Sequence, residues 1–164
     1  MNQTILDSKI ELVGEIAAKL RDAQSSVVVE YRGLTVAEVT NLRRLLRAEG
    51  IEFKVYKNSM TQRAADELGY GALTESLTGP NAIAFGSDAV APSRILTKFA
   101  KKHKKLVVKG GVVEGKVVDT DTIKMLSDLP GREGMIAMLL GCLQSPIRDF
   151  AYAVKQIAEK QEQQ

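Results

Sequence analysis

The sequence predicts an α+β fold: a compact N-terminal domain with a mixed/antiparallel sheet flanked by helices, followed by a long, kinked C-terminal helix. Three observations predict it. Short β-branched or alternating runs (Val27 to Val29, Ile51 to Tyr56, Ala82 to Phe85, Leu106 to Val108) are separated by stretches of helical period. Capping-box spacings open two of those stretches. From Arg132 to Gln164, apolar residues recur at steps of three and four with nothing nearby in sequence to cover them.

The first helix is expected over Ser8 to Arg21, with Ser8 and Glu11 at capping-box spacing and Val13, Ile16, Ala17 and Leu20 on one face. Val27-Val28-Val29 reads as a strand that ends at Tyr31-Arg32-Gly33, where glycine permits a turn. Thr35 and Glu38 form the second capping box, opening a helix to about Glu49 with Val39, Leu42, Leu45 and Leu46 inward and Arg43, Arg44 and Arg47 outward. Gly50 stops it. Ile51, Phe53 and Val55 alternate with Glu52, Lys54 and Tyr56, the period of a strand with one buried face.

Asn58 or Ser59 is expected to cap a helix ending near Gly69, and Lys57 just before it sits beside free backbone amides that suit a phosphate. Leu77-Thr78-Gly79-Pro80 turns into the strand Ala82 to Phe85. Pro92 opens a helix with Ile95, Leu96 and Phe99 as its face, leading into Lys101-Lys102-His103-Lys104-Lys105. Leu106 to Lys109, Gly110-Gly111 and Val112 to Val118 predict a glycine-joined hairpin or a bulged strand, and a short helix from about Asp121 to Leu129 follows.

In the terminal helix, Met135, Ile136, Leu139, Leu140, Leu143, Ile147, Phe150, Val154 and Ile157 share one side. At 1.5 Å per residue it spans on the order of 45 Å, long enough to overhang a compact body and bury its stripe on another chain. Pro146 removes an amide donor and crowds the carbonyl of Cys142, which predicts a bend that divides the helix into two segments.

Composition narrows the function. Apolar content of 45% suits one domain with a real core, and no run reaches the ~18 apolar residues of a membrane span. Met1 to Arg21 is amphipathic with acidic residues, unlike a secretory signal, so a cytoplasmic chain with no membrane partner is expected. The single cysteine, Cys142, cannot form an internal disulfide and is expected to be a buried, inert thiol. One Cys and one His cannot build a zinc site, Asp119, Asp121 and Asp128 lack calcium-loop spacing, and His103 lies among lysines rather than beside a nucleophile. Gly110 to Gly115 lacks both the dinucleotide and the Walker pattern. No catalytic residue, metal or cofactor is therefore expected.

Charge points to two partners. The net charge is +3, yet from Arg132 onward four basic residues balance four acidic ones, so the whole excess belongs to the preceding body. Between Arg43 and Arg63 six basic residues face Glu49 and Glu52, and between Lys98 and Lys116 seven face Glu114. Two such runs favour a polyanion, and the scarcity of interleaved aromatics favours phosphates of folded RNA over stacked single strands.

Tyr31-Arg32-Gly33-Leu34-Thr35, Val55-Tyr56-Lys57-Asn58-Ser59-Met60, Gly79-Pro80, Val108-Lys109-Gly110-Gly111 and Leu129-Pro130 together resemble the bacterial stalk-base family of the large ribosomal subunit, ribosomal protein L-ten. The resemblance covers essentially the whole chain. It implies a ribosomal-RNA-binding α+β domain over 1–130, a ferredoxin-like variant, and a helix over 131–164 that docks dimers of the acidic stalk protein L-seven/L-twelve. The implied neighbour is ribosomal protein L-eleven; translational GTPases are reached indirectly, through the stalk dimers. Arg32, Gly33, Lys57, Asn58 and Lys109 fall on family positions and are expected at or near the RNA. Arg43, Arg44, Arg47 and Arg63 join them on charge and geometry. Leu139, Leu140, Leu143, Ile147, Phe150, Val154 and Ile157 are the expected dimer-docking face, with two docking sites favoured over three.

The alternatives are a repressor that binds its own message, compatible with the first reading, and a small enzyme acting on a phosphorylated ligand at Lys57 and Asn58. One departure stands out. Where the family often has a serine-led capping box, this chain has Gly131-Arg132-Glu133-Gly134, so the terminal helix is expected to start late or hinge there.

Overall fold

The computed structural model describes residues 3–162. The chain divides into two compact units between Leu129 and Pro130. The first unit holds α1 (Gln3–Asp22), β1 (Ser25–Glu30), α2 (Val36–Ala48), β2 (Glu52–Lys54), α3 (Asn58–Glu67), α4 (Gly71–Ser76), β3 (Asn81–Gly86), α5 (Ala91–Lys102), β4 (Val107–Val113), β5 (Lys116–Asp119) and α6 (Thr120–Ser127). The second is α7 (Arg132–Glu162) and its approach.

The five strands form one sheet in the order β2-β3-β1-β4-β5, and every neighbouring pair is antiparallel. β1 is central. Helices cover both faces: Val28 packs with Val13, Ile16, Leu20, Ala64, Ala65 and Leu73, whereas Val27 and Val29 pack with Leu42, Leu46, Leu96, Phe99 and Ile123. A strand buried on both sides needs apolar residues at consecutive positions, which is why Val27-Val28-Val29 shows no alternation.

The α2 capping box forms as its spacing predicts. The Thr35 amide and hydroxyl both donate to Glu38 Oε2, at 2.7 and 2.8 Å, and the Glu38 amide donates to Thr35 Oγ1 at 3.4 Å. Ser8 does not cap α1, which already runs from Gln3. Leu45 turns out exposed, because the buried arc of α2 is narrow and is filled by Leu42 and Leu46. Val55 lies beyond the short β2 and is exposed. The six-residue α4, which sequence periodicity is too short to reveal, puts Leu73 into the core.

The Gly110-Gly111 region contains a bulge, while the hairpin turn falls later. Register passes from Val28 opposite Gly110 to Val29 opposite Val108, leaving Lys109 as the extra residue. Glu114 and Gly115, both at positive φ, make the β4–β5 turn. Gly111 is required by close approach: a Cβ there would collide with the Ser26 carbonyl and lie 3.2 Å from Val27 Cα.

α7 begins at Arg132, without the late start anticipated from its missing serine cap. Its first turn closes through the Met135 amide on the Gly131 carbonyl at 2.9 Å, and Gly134 leaves room for Pro130, whose Cβ would otherwise meet a side chain at 2.8 Å. The helix continues through Pro146. Cys142 is exposed rather than buried, since α7 has no second layer within its own unit.

Two glycine substitutions should therefore have opposite effects in urea denaturation. Gly111→Ala is expected to destabilise by about 2 kcal/mol through forced separation of β1 and β4. Gly14→Ala, on a helical position with nothing within 4 Å, is expected to stabilise by roughly 0.5–1 kcal/mol. Equal effects would contradict the close-approach reading.

Candidate nucleic-acid interface and docking helix

Sheet register gathers four sequence-distant segments at one end of the first unit. Glu30, the last residue of β1, pairs with Asn81 at the start of β3 and with Val107 at the start of β4. The Tyr31-Arg32-Gly33 turn, the Thr78-Gly79-Pro80 turn and Lys104-Lys105 therefore adjoin one another. β2 runs toward the same end, and its exit carries Lys57 and Asn58 there, where Asn58 Nδ2 donates to the Gly79 carbonyl at 2.7 Å. Gly33, at φ +85°, lies against Lys105, 3.4 Å from a Cβ built on it to Lys105 Cδ.

Of the predicted RNA set, Arg32, Gly33, Lys57, Asn58 and Lys109 come together here. Arg32 and Lys57 are exposed. Asn58 is not a helix cap: Lys57 occupies that position without a side-chain cap bond, and the Asn58 amide goes to the turn instead. Lys109 Nζ lies 2.7 Å from Glu30 Oε2 and donates to the Thr78 carbonyl at 2.5 Å. The remaining arginines stand elsewhere. Arg43, Arg44 and Arg47 are exposed about two to three turns along α2. Arg43 and Arg47 line a shallow groove with Gly50 to Val55. Arg63 is exposed on α3, which covers the opposite face of the sheet from α2.

Motif reading missed Glu30, Asn81 and Lys105. Lys105 was legible as part of the lysine run, but its place beside Gly33 depends on the β1–β4 register. That run is tied down at His103, whose ring stacks on Phe99 with centroids 4.3 Å apart and whose Nδ1 lies 3.0 Å from Glu38 Oε1. Lys54 is committed elsewhere: it pairs with Glu52 at 2.9 Å beside Lys19, and hydrogen bonds from Lys19 and then Lys54 hold the Glu52 carboxyl below its ordinary range. No cluster of His, Cys, Asp and Glu suited to a metal occurs among the described residues.

In the second unit, all seven residues expected to dock a partner are exposed, from 51% at Val154 to 76% at Ile147. Leu139, Leu143, Ile147, Phe150, Val154 and Ile157 follow one another at steps of four, four, three, four and three, which keeps them on one face through Pro146. Met138 and Tyr152 add exposed apolar surface that the stripe did not include. Ser145 Oγ donates to Asp149 at 2.9 Å, and Lys155 pairs with Glu159 at 3.6 Å. No helix of the described residues is long and apolar enough to cross a membrane.

The family profile described as Ribosomal protein L10 matches residues 4–101, and that described as Ribosomal protein uL10 C-terminal region matches residues 129–164. The chain belongs to the ribosomal protein L10 family. Curated relatives agree along almost the full length. The Large ribosomal subunit protein uL10 of Oceanobacillus iheyensis is 56% identical over 161 residues, covering 98% of this chain and 97% of the relative. The proteins of the same name from Bacillus cereus strain B4264 and Bacillus anthracis strain A0248 are each 53% identical over the same shares. Membership gives the chain a structural role in the ribosome, in a family of non-enzymatic proteins.

The Glu38 carboxyl is held below its ordinary value of 4.5, first by the Thr35 amide, then by the Thr35 hydroxyl and His103. A depressed carboxylate contributes stability that is present above its unfolded pKa and lost as pH falls through its folded one. Thermal melts of Glu38→Gln should therefore lie below the wild type at pH 7, and the gap should close as the pH is lowered beneath 4.5. A gap unchanged at pH 3 would contradict this.

Proposed function

We propose that the chain forms the base of the stalk on the large ribosomal subunit. Residues 1–130 bind large-subunit ribosomal RNA, and residues 131–164 carry dimers of the acidic stalk protein L-seven/L-twelve, whose mobile parts recruit translational GTPases. Ribosomal protein L-eleven is the neighbour at this site, and the setting is the cytoplasmic ribosome.

The observation that carries this reading is the uncovered face of α7: seven large apolar side chains, each more than half exposed. Covering such side chains is worth on the order of 1 kcal/mol each, and soluble monomers rarely leave so extended an apolar surface open. The α7 polar residues are charge-balanced, which favours a protein partner over an anionic lipid surface. In the body, the convergence of Arg32, Lys57 and Lys105 at one sheet end supports an RNA-facing surface. Arg43, Arg44 and Arg47 supply a second basic patch on α2, and Arg63 a further cation on α3.

Truncation after Pro130 separates the two roles. The shortened chain is expected to lose capture of the acidic dimers and to keep RNA binding, with affinity falling roughly a hundredfold between about 50 and about 200 mM salt as counterions are released. Dimers that co-purify with the truncated body, or an affinity flat across that range, would contradict the assignment.

A further inference from the structure

Lys109 sits on a family motif, yet its ammonium is already engaged. It pairs with Glu30 at 2.7 Å, donates to the Thr78 carbonyl at 2.5 Å, and its side chain is only 18% exposed. The β-bulge that leaves it as an extra residue is what takes it out of the regular pleat. Two more donors reach the same turn. Asn81 Nδ2 bonds the Thr78 carbonyl at 3.1 Å, and Asn58 Nδ2 bonds the Gly79 carbonyl at 2.7 Å.

Two successive peptide oxygens are thus gripped by side chains from β4, β3 and α3. Gly79, at φ +78°, lies so near the ion pair that a Cβ on it would be 3.8 Å from Lys109 Nζ and 3.9 Å from the Glu30 carboxylate. Counterion release responds to cations delivered to phosphates, and a lysine neutralised by Glu30 delivers little. Arg32, Lys57 and Lys105 have no ion-pair partner among the described residues and are exposed.

We propose that Lys109 and Asn58 are positioning residues: they fix the Thr78-Gly79-Pro80 turn at the RNA-facing end of the sheet, while Arg32, Lys57 and Lys105 make the phosphate contacts. This rests on the RNA-binding reading above. Glu30 is part of the device. Removing its negative charge would tighten binding if Lys109 touched phosphate, and loosens it if Lys109 must hold the turn.

The test titrates full-length chain against a stalk-base fragment of large-subunit RNA over a series of salt concentrations, well below the melting temperature. Lys57→Ala is expected to reduce the slope of log affinity against log salt by about one. Lys109→Met is expected to weaken binding about tenfold with the slope unchanged, and Glu30→Gln to weaken it about threefold. The Gly79 amide resonance of the free chain should shift in both variants, because the peptide carbonyls on either side of it lose donors. Asn58→Ala, which leaves the ion pair in place, should repeat the pattern and serves if Lys109→Met does not fold.

A slope lowered by about one in Lys109→Met, together with tighter binding by Glu30→Gln, would overturn the assignment and leave the RNA reading intact. Unchanged affinity in all three variants would also overturn it. A wild-type chain that binds the fragment at no salt concentration would overturn both.

Discussion

The structure depends on β1. Its residues from Ser25 to Val29 are buried, its backbone pairs with β3 on one edge and β4 on the other, and its valines feed the cores on both faces. Moving its register by one residue would exchange Val28 with Val27 and Val29 between two differently shaped cores. The contact of Gly111 with Ser26 and Val27 admits no side chain between the strands. Because β1 cannot slip, the turns that follow and precede its neighbours meet at a fixed end. The basic site follows from that register more than from any single basic residue.

The two units manage apolar surface differently. In the first, helices on both sheet faces bury two apolar cores, while side chains such as Ile10, Val36 and Met125 stay exposed. In the second, α7 lies in a unit with no other secondary structure, and its stripe stays exposed. Isolated helices of ordinary composition are marginal in water, and Gly141 and Pro146 lower the propensity of this one further. A partner that covers the stripe would therefore stabilise the helix as well as bind it.

Elements with strong local signals were legible in the sequence: the Thr35–Glu38 box, the Val27–Val29 run, the Pro92 helix start and the period of α7 all specify their structure within a few residues. The losses have physical causes. α4 is too short to display a period, and Leu45 falls at the margin of a helical arc whose width is set by tertiary packing. Cys142 depends on whether a second layer exists, which no local pattern encodes. At the basic end, Arg32 and Lys57 could be named from motif and charge. The partnership of Lys109 with Glu30 could not, because they lie 79 positions apart and only the bulged β1–β4 pairing brings them together.

The proposed division of labour has protein covering α7 and RNA meeting the sheet end. Hydrogen exchange of the full-length chain, with and without purified acidic stalk protein, tests it most directly. Added stalk protein should slow exchange across residues 135–157 and leave the amides of residues 31–33, 57–58, 78, 79 and 81 unchanged. Protection at that sheet end with none along α7 would contradict the division.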